Sequence, residues 1–183
     1  MKRIRDVKID YFWSMPAKWT FEMDAARAFF WRDLQRAGSV IVPYAGKTRF
    51  DAETRKKCCF VDVDESLPDL DFVGKCQEVL PKLAEKGARY NMALIDPPFS
   101  EYMSNHWYTS TERQNDVARA KDLVEKVLSD DAVVFTFGFS TTGMGASRGF
   151  TKTHLRIINH GGNHWDTHCL REIRTNSTLV KFL

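Results

Sequence analysis

The sequence predicts a single α/β domain on a mostly parallel sheet. Short β-like apolar runs alternate with amphipathic helical runs along most of the chain, the pattern of strands joined by crossover helices. Its 183 residues suit one domain with a sizeable core. No internal repeat or low-complexity linker divides it.

Taken in order, residues 1–20 read as an irregular, aromatic-rich arm. Thr20 is placed to cap a helix over residues 22–36, where Ala26, Phe29, Phe30 and Leu34 recur at helical spacing and Gly38 ends the run. Residues 1–38 thus form an arm and helix, and residues 39–183 the sheet core. Residues 39–44 are a short apolar strand breaking into Ala45-Gly46, and residues 58–63 a second strand with Asp62 and Asp64 at its carboxyl end. The link between them, residues 49–57, has room for a helix of one or two turns at most. A helix is expected over residues 74–86, with Pro81 arguing for a break or a start near it. Residues 91–95 form a strand running into Asp96-Pro97-Pro98-Phe99. A polar loop and a strong helix over residues 111–128 follow, with Val117, Ala120, Leu123, Val124 and Val127 on one stripe. Residues 132–137 are the next strand, and residues 138–149 a Gly/Ser/Thr loop. Residues 154–159 and 168–173 are two further strands, and residues 178–183 an edge.

Hydrophobic residues at 43% and charged residues at 28% fit a soluble globular protein, and a net charge of +3 argues only weakly for a polyanionic partner. The basic N-terminus lacks the apolar stretch of a signal peptide, and no run of eighteen apolar residues suits a membrane span. Adjacent Cys58 and Cys59 would point to opposite faces of a strand, and Cys76 and Cys169 complete no C-x-x-C spacing. Reduced thiols in a cytoplasmic protein are expected.

Asp96-Pro97-Pro98-Phe99 carries the chemistry. Ligands of open α/β sheets sit outside the carboxyl ends of the strands, where this tetrapeptide falls. The exocyclic amine of adenine or cytosine is a poor nucleophile, because its lone pair is delocalised into the ring. Acceptors held against its N–H bonds favour the pyramidal, reactive geometry. The Asp96 carboxylate supplies one acceptor and the Pro97 carbonyl another. Proline stiffens the bend and adds no competing donor. Phe99 offers a flat face to an extruded base. Upstream, Ala45-Gly46 lets backbone approach a cofactor closely, and Asp62 suits ribose hydroxyls.

On these residues the chain resembles the small orphan adenine-specific DNA methyltransferases of phages and prophages. The resemblance spans nearly the whole sequence. It is carried by Trp13-Ser14-Met15-Pro16 with Lys18-Trp19-Thr20-Phe21, by Val42-Pro43-Tyr44-Ala45-Gly46-Lys47 and by Val61-Asp62-Val63-Asp64. Further along come Asp96-Pro97-Pro98-Phe99-Ser100, and Phe137-Gly138-Phe139 with Thr142-Gly143-Met144-Gly145 and Arg148-Gly149-Phe150. His160-Gly161-Gly162-Asn163-His164 with Asp166-Thr167 completes the set. The resemblance implies a Rossmann-like class I methyltransferase fold with a C-terminal antiparallel hairpin. It also implies S-adenosylmethionine as cofactor, no metal, and transfer to N6 of adenine in double-stranded DNA, with N4 of cytosine the nearest alternative. By carry-over, Asp96, Pro97, Pro98 and Phe99 handle the target base. Pro43, Tyr44, Ala45, Gly46, Asp62 and Asp96 line the cofactor, covered by Trp19 and Thr20. The family usually has Phe where Tyr44 stands, and an Asp where Gly74 stands, with Asp71 three residues earlier.

Sequence recognition is expected from the loops at residues 100–112, with His106, Trp107 and Tyr108, and at residues 138–152, or from a second copy or partner subunit. Ser140, Arg148 and Lys152 are the candidates for contacting a nucleic-acid backbone. His160, His164, His168 and Cys169 suggest zinc only weakly, because Gly161-Gly162 breaks the helix that would align them. No G-x-S-x-G elbow supports a hydrolase, and Gly143-Met144-Gly145 lacks the Gly-Lys-Ser/Thr of a phosphate loop. A methyltransferase-like binding module without catalysis is the alternative from another class.

Overall fold

The computed structural model describes residues 7–98, 114–162 and 164–175. Among these residues the strands are β1 (Lys8–Trp13), β2 (Val40–Pro43), β3 (Cys58–Asp62), β4 (Phe72–Val73), β5 (Tyr90–Ile95), β6 (Leu128–Gly138), β7 (Phe150–Asn159) and β8 (Thr167–Arg174). The helices are α1 (Asp24–Arg36), α2 (Ala52–Lys56), α3 (Cys76–Glu85) and α4 (Gln114–Lys126). The strands form one sheet in the order β1-β7-β8-β6-β5-β2-β3-β4. All neighbours are parallel except β8, which runs antiparallel to both β6 and β7. The expected parallel sheet with a C-terminal antiparallel hairpin is therefore present.

From β2 the chain moves outward to β3 and β4, then returns to lay β5 on the other side of β2. The carboxyl ends of β2 and β5 flank the point where the winding reverses, the place where such sheets open a crevice. Pairing between β2 and β5 stops at Ile41 opposite Ala93, although β5 runs on to Ile95. Pro43 ends β2 without an N–H to continue a ladder, so the two strands part there.

The sheet is covered on both faces because strand side chains alternate. Val40, Val42, Met92, Leu94, Phe135 and Phe137 pack beneath Phe29, Phe30 and Leu34 of α1 and Phe21 before it. Ile41, Val61, Ala93, Ile95 and Val134 pack beneath Val79, Leu80 and Leu83 of α3 and Val124 of α4. Phe21, Phe30 and Phe137 meet edge to face at 4.9–5.9 Å, so the arm is fastened to the end of β6.

Three expectations are corrected. Within the arm, residues 8–13 are a strand, not irregular chain: β1 pairs in parallel with β7. The Asp10 carboxylate accepts both Nε and Nη2 of Arg156, at 2.8 and 3.0 Å, and meets His154 at 2.9 Å. Arg156 also lies over the Phe12 ring at 4.0 Å. Ile9, Tyr11 and Trp13, on the opposite face, are exposed. Second, α3 runs through Pro81 without a break. The lost backbone bond is offset by burial of Val79, Leu80 and Leu83 along the same helix. Third, Thr20 does not cap α1, whose N-terminus is Met23 with no side-chain cap; Thr20 opens a separate 3-10 turn, Thr20–Glu22.

The short first crossover is a five-residue helix, α2, capped by the Asp51 carboxylate on the Thr54 N–H. The four cysteines are free thiols, and burial pushes Cys58 up to about 11. No described helix is long and apolar enough to cross a membrane. Residues 178–183 and the loop at residues 100–112 lie outside the described residues.

Candidate active site

Two bends meet at the reversal point, one following β2 and one following β5. After Pro43 the backbone turns through Tyr44 at φ 62° and Gly46 at φ 52°, both left-handed. Tyr44 accepts strain there that a glycine would not, while its side chain packs on the core beside α3. A Cβ on Gly46 would sit 2.8 Å from the Trp19 indole, so glycine is required by both backbone and space. Asp62, at the end of β3, fixes this loop: Oδ2 accepts the Gly46 N–H at 2.8 Å and Oδ1 the Asp64 N–H at 3.1 Å. A carboxylate has about four acceptor positions, so Asp62 keeps capacity for further donors.

Asp96 and Pro97 follow β5 directly, Pro97 buried. One residue beyond the Ile95–Thr136 pair, Asp96 falls beside Phe137 on the α1 face. Thr20 reaches it from the arm: its buried hydroxyl stands near enough to the Asp96 carboxylate to favour the charged form. Burial pushes Asp96 up to about 7, and the Thr20 hydroxyl opposes that rise. The nearby Cys169 thiol is pushed up by its own burial and then by the Asp96 charge, which leaves it inert as a nucleophile.

Consecutive residues of the arm therefore hold both bends, Trp19 on Gly46 and Thr20 on Asp96. The sequence reading makes both of them covers over a cofactor. The Thr20 contact with Asp96 has no local signal, since it depends on tertiary placement of the arm. Phe99 lies outside the described residues. Pro43, Tyr44, Ala45, Gly46, Asp62, Asp96, Pro97 and Pro98 all lie at the carboxyl ends of β2, β3 and β5.

Gly74 stands beside β3, its N–H donating to the Asp62 carbonyl at 2.8 Å with φ 145°. Asp71 is committed to structure, accepting the Phe60 N–H at 2.7 Å and Arg55 at 2.9 Å. The loop after β6 is built on Glu172, a fully buried carboxylate that accepts the Met144 and Gly145 N–H groups at 2.6 and 3.0 Å. Arg148 is engaged within the protein: Nε pairs with Asp122 at 2.6 Å, and Nη1 and Nη2 donate to the Met144 and Ala118 carbonyls. Lys152 donates to the Thr141 carbonyl at 2.6 Å, and the exposed Ser140 hydroxyl accepts from the Thr142 N–H. These contacts brace the loop.

His160 is also structural: its ring nitrogens meet the Ser14 carbonyl at 2.7 Å and the Thr167 hydroxyl at 2.9 Å, tying arm to hairpin. Among the described residues, no group of three His, Cys, Asp or Glu side chains is arranged to hold a metal ion.

No family model and no curated protein sequence matches the chain. Solved structures match its fold. The 1,6-didemethyltoxoflavin-N1-methyltransferase of Burkholderia thailandensis, with bound 1,6-didemethyltoxoflavin and S-adenosylhomocysteine, aligns at TM-score 0.61 and 14% identity over 83% of this chain and 77% of that one. The N-methyltransferase NodS of Bradyrhizobium japonicum WM9 aligns at 0.56 and 8%, over 82% and 97%. A SAM-dependent methyltransferase of Agrobacterium tumefaciens aligns at 0.52 and 12%, over 82% of this chain and 62% of that one. Other matched structures are longer still, and the chain spans 44 and 45% of two of them. Strand order, the antiparallel β8 and these alignments together show that the chain has the Rossmann-like fold of class I methyltransferases.

Proposed function

We propose that this protein is an S-adenosylmethionine-dependent methyltransferase acting on the exocyclic amine of a nucleic-acid base, N6 of adenine in DNA first. The observation that carries the reading is the Asp96-Pro97-Pro98 bend at the switch point, held by Thr20 beside the left-handed Gly46 loop. Support for the cofactor comes from the fold and from the donor set. Gly46 presents backbone with no side chain, and Asp62 retains acceptor capacity suited to ribose hydroxyls.

Pro43, Ala45, Gly46 and Asp62 would hold the cofactor, with Trp19 over the Gly46 loop. When bound, S-adenosylmethionine supplies an electrophilic methyl on a sulfonium centre that leaves as the neutral thioether. Asp96 and the Pro97 carbonyl take the two N–H bonds of the amine and draw its lone pair out of the ring. With the methyl donor in place, transfer to the nitrogen would release the thioether and leave a proton to be removed from the nitrogen. Asp96, whose pKa of about 7 makes it a better base than an exposed carboxylate, is placed to take the proton that the nitrogen loses.

The test is incubation of the full chain with tritiated S-adenosylmethionine and mixed DNA and RNA, followed by nucleoside mass spectrometry. The reading predicts labelled N6-methyl-2'-deoxyadenosine from the DNA fraction. N4-methylcytosine would change the acceptor, and label only in RNA would change the polymer. No labelled nucleoside, with the label bound but not transferred, would favour the non-catalytic binding module.

A further inference from the structure

We propose that Phe139 and Trp165 form a stacking ledge for the unpaired base that adjoins the target in the strand. The inference rests on the reading above in taking the partner to be nucleic acid, and its test is chosen to fail separately.

The ledge lies at the same end of the sheet as Asp96. Along β6, Phe135 and Phe137 point to the α1 side, where Phe29 and Phe21 meet them. Phe139 follows immediately after the strand end at Gly138. Across β8, Cys169 is paired with Phe137, and Trp165 lies just before that strand, in the turn that follows β7. The Phe139 and Trp165 rings are 6.2 Å apart and inclined by 32°. Both rings stand at the end of the sheet where β6 finishes and β8 begins, with Gly138 paired to His168 between them.

Neither ring belongs to the two core clusters, and Trp165 is 76% exposed. A large exposed indole paired with a second ring is what base stacking uses, since every base offers a π-face. The same end of the sheet carries exposed Lys47, next to Gly46, which suits a phosphate of the strand.

The experiment is fluorescence anisotropy of the full chain with a labelled single-stranded oligo(dT) and with a wholly abasic strand of the same length. Wild-type protein should bind the base-bearing strand roughly tenfold tighter. Trp165→Ala should lose most of that preference, and Trp165→Phe should retain it. Trp165 is exposed, so its truncation leaves the fold intact; Phe139→Ala is the second variant and should act in the same direction. Equal binding of both strands by wild type, or a full preference kept by Trp165→Ala, would overturn the ledge. So would Trp165-dependent binding to anionic phospholipid vesicles without any preference between the strands. The two proposals part cleanly. A Trp165-dependent preference with no methylated nucleoside keeps the ledge and removes the methyl-transfer reading. Methylated DNA with an unchanged KM in Trp165→Ala does the reverse.

Discussion

Asp96 combines two demands that conflict. Its carboxyl is half-buried beside an aromatic core, which favours the neutral acid, yet accepting N–H bonds favours the anion. The result is a pKa near 7 in the folded chain against about 4 when unfolded. Because the folded value is raised, folding favours the protonated form. The contribution to stability is fully present below pH 4 and is lost as pH rises through 7. Asp96→Asn removes the charge that is costly to bury. It is expected to raise stability at pH 8 by about 1–4 kcal/mol, with no gain at pH 3.5, while methyl transfer falls at least about a hundredfold. Urea unfolding at the two pH values checks the first outcome, and a single-turnover assay the second. Thr20 tunes the same group. Thr20→Val removes the hydroxyl that holds the Asp96 pKa down, so the rising limb of the pH–rate profile should move to higher pH. Thr20→Ser should restore it. An unmoved limb would mean that Asp96 does not govern the rate. Asp96, Pro97 and Pro98 are readable from their position after an apolar strand. The Thr20 contact is not, because Thr20 also suits a helix cap and only the packing of Phe21 against Phe137 turns it toward β5.

The elements show where local patterns suffice. β2, β3, β5 and α1 are legible to within a few residues, because their apolar periods match the faces they bury. β1 was not legible: its pairing with β7 rests on the bond between Asp10 and Arg156, 146 residues apart, and no local pattern reports that partner. β6 is longer than its apolar run, since Leu128–Asp131 joins it through pairing near Tyr90 rather than through hydrophobicity. The loop after β6 reads in sequence as a nucleic-acid contact, yet it is built inward on Glu172. Gly143 has to be glycine, because a Cβ there would collide with Glu172 Oε2 and with Leu170. Lys121, also buried, donates to the Thr142 carbonyl and lies close enough to feel the Glu172 charge. Glu172→Ala would strip two backbone donors of their acceptor and leave Lys121 without that compensating charge. The expected loss is about 2–4 kcal/mol in urea unfolding. A loss under about 0.5 kcal/mol would mean that the loop is braced elsewhere.

At the scale of the molecule, the sheet order explains why one arm can serve two bends. The chain winds outward from β2 to β4, returns to β5, and so brings the ends of its first and fourth crossover strands together. The arm enters from the far edge, anchored by β1 and by His160 on the hairpin, and crosses the α1 face to deliver Trp19 to Gly46 and Thr20 to Asp96. Everything functional rests on that junction accepting a methyl donor beside Asp96. Isothermal titration with S-adenosylhomocysteine measures it most directly. The account predicts saturable one-to-one binding to wild-type protein. It also predicts at least tenfold weaker binding for Gly46→Val, whose side chain would meet Trp19 and strain a left-handed backbone. No heat at millimolar ligand, or equal binding by the two proteins, would contradict it.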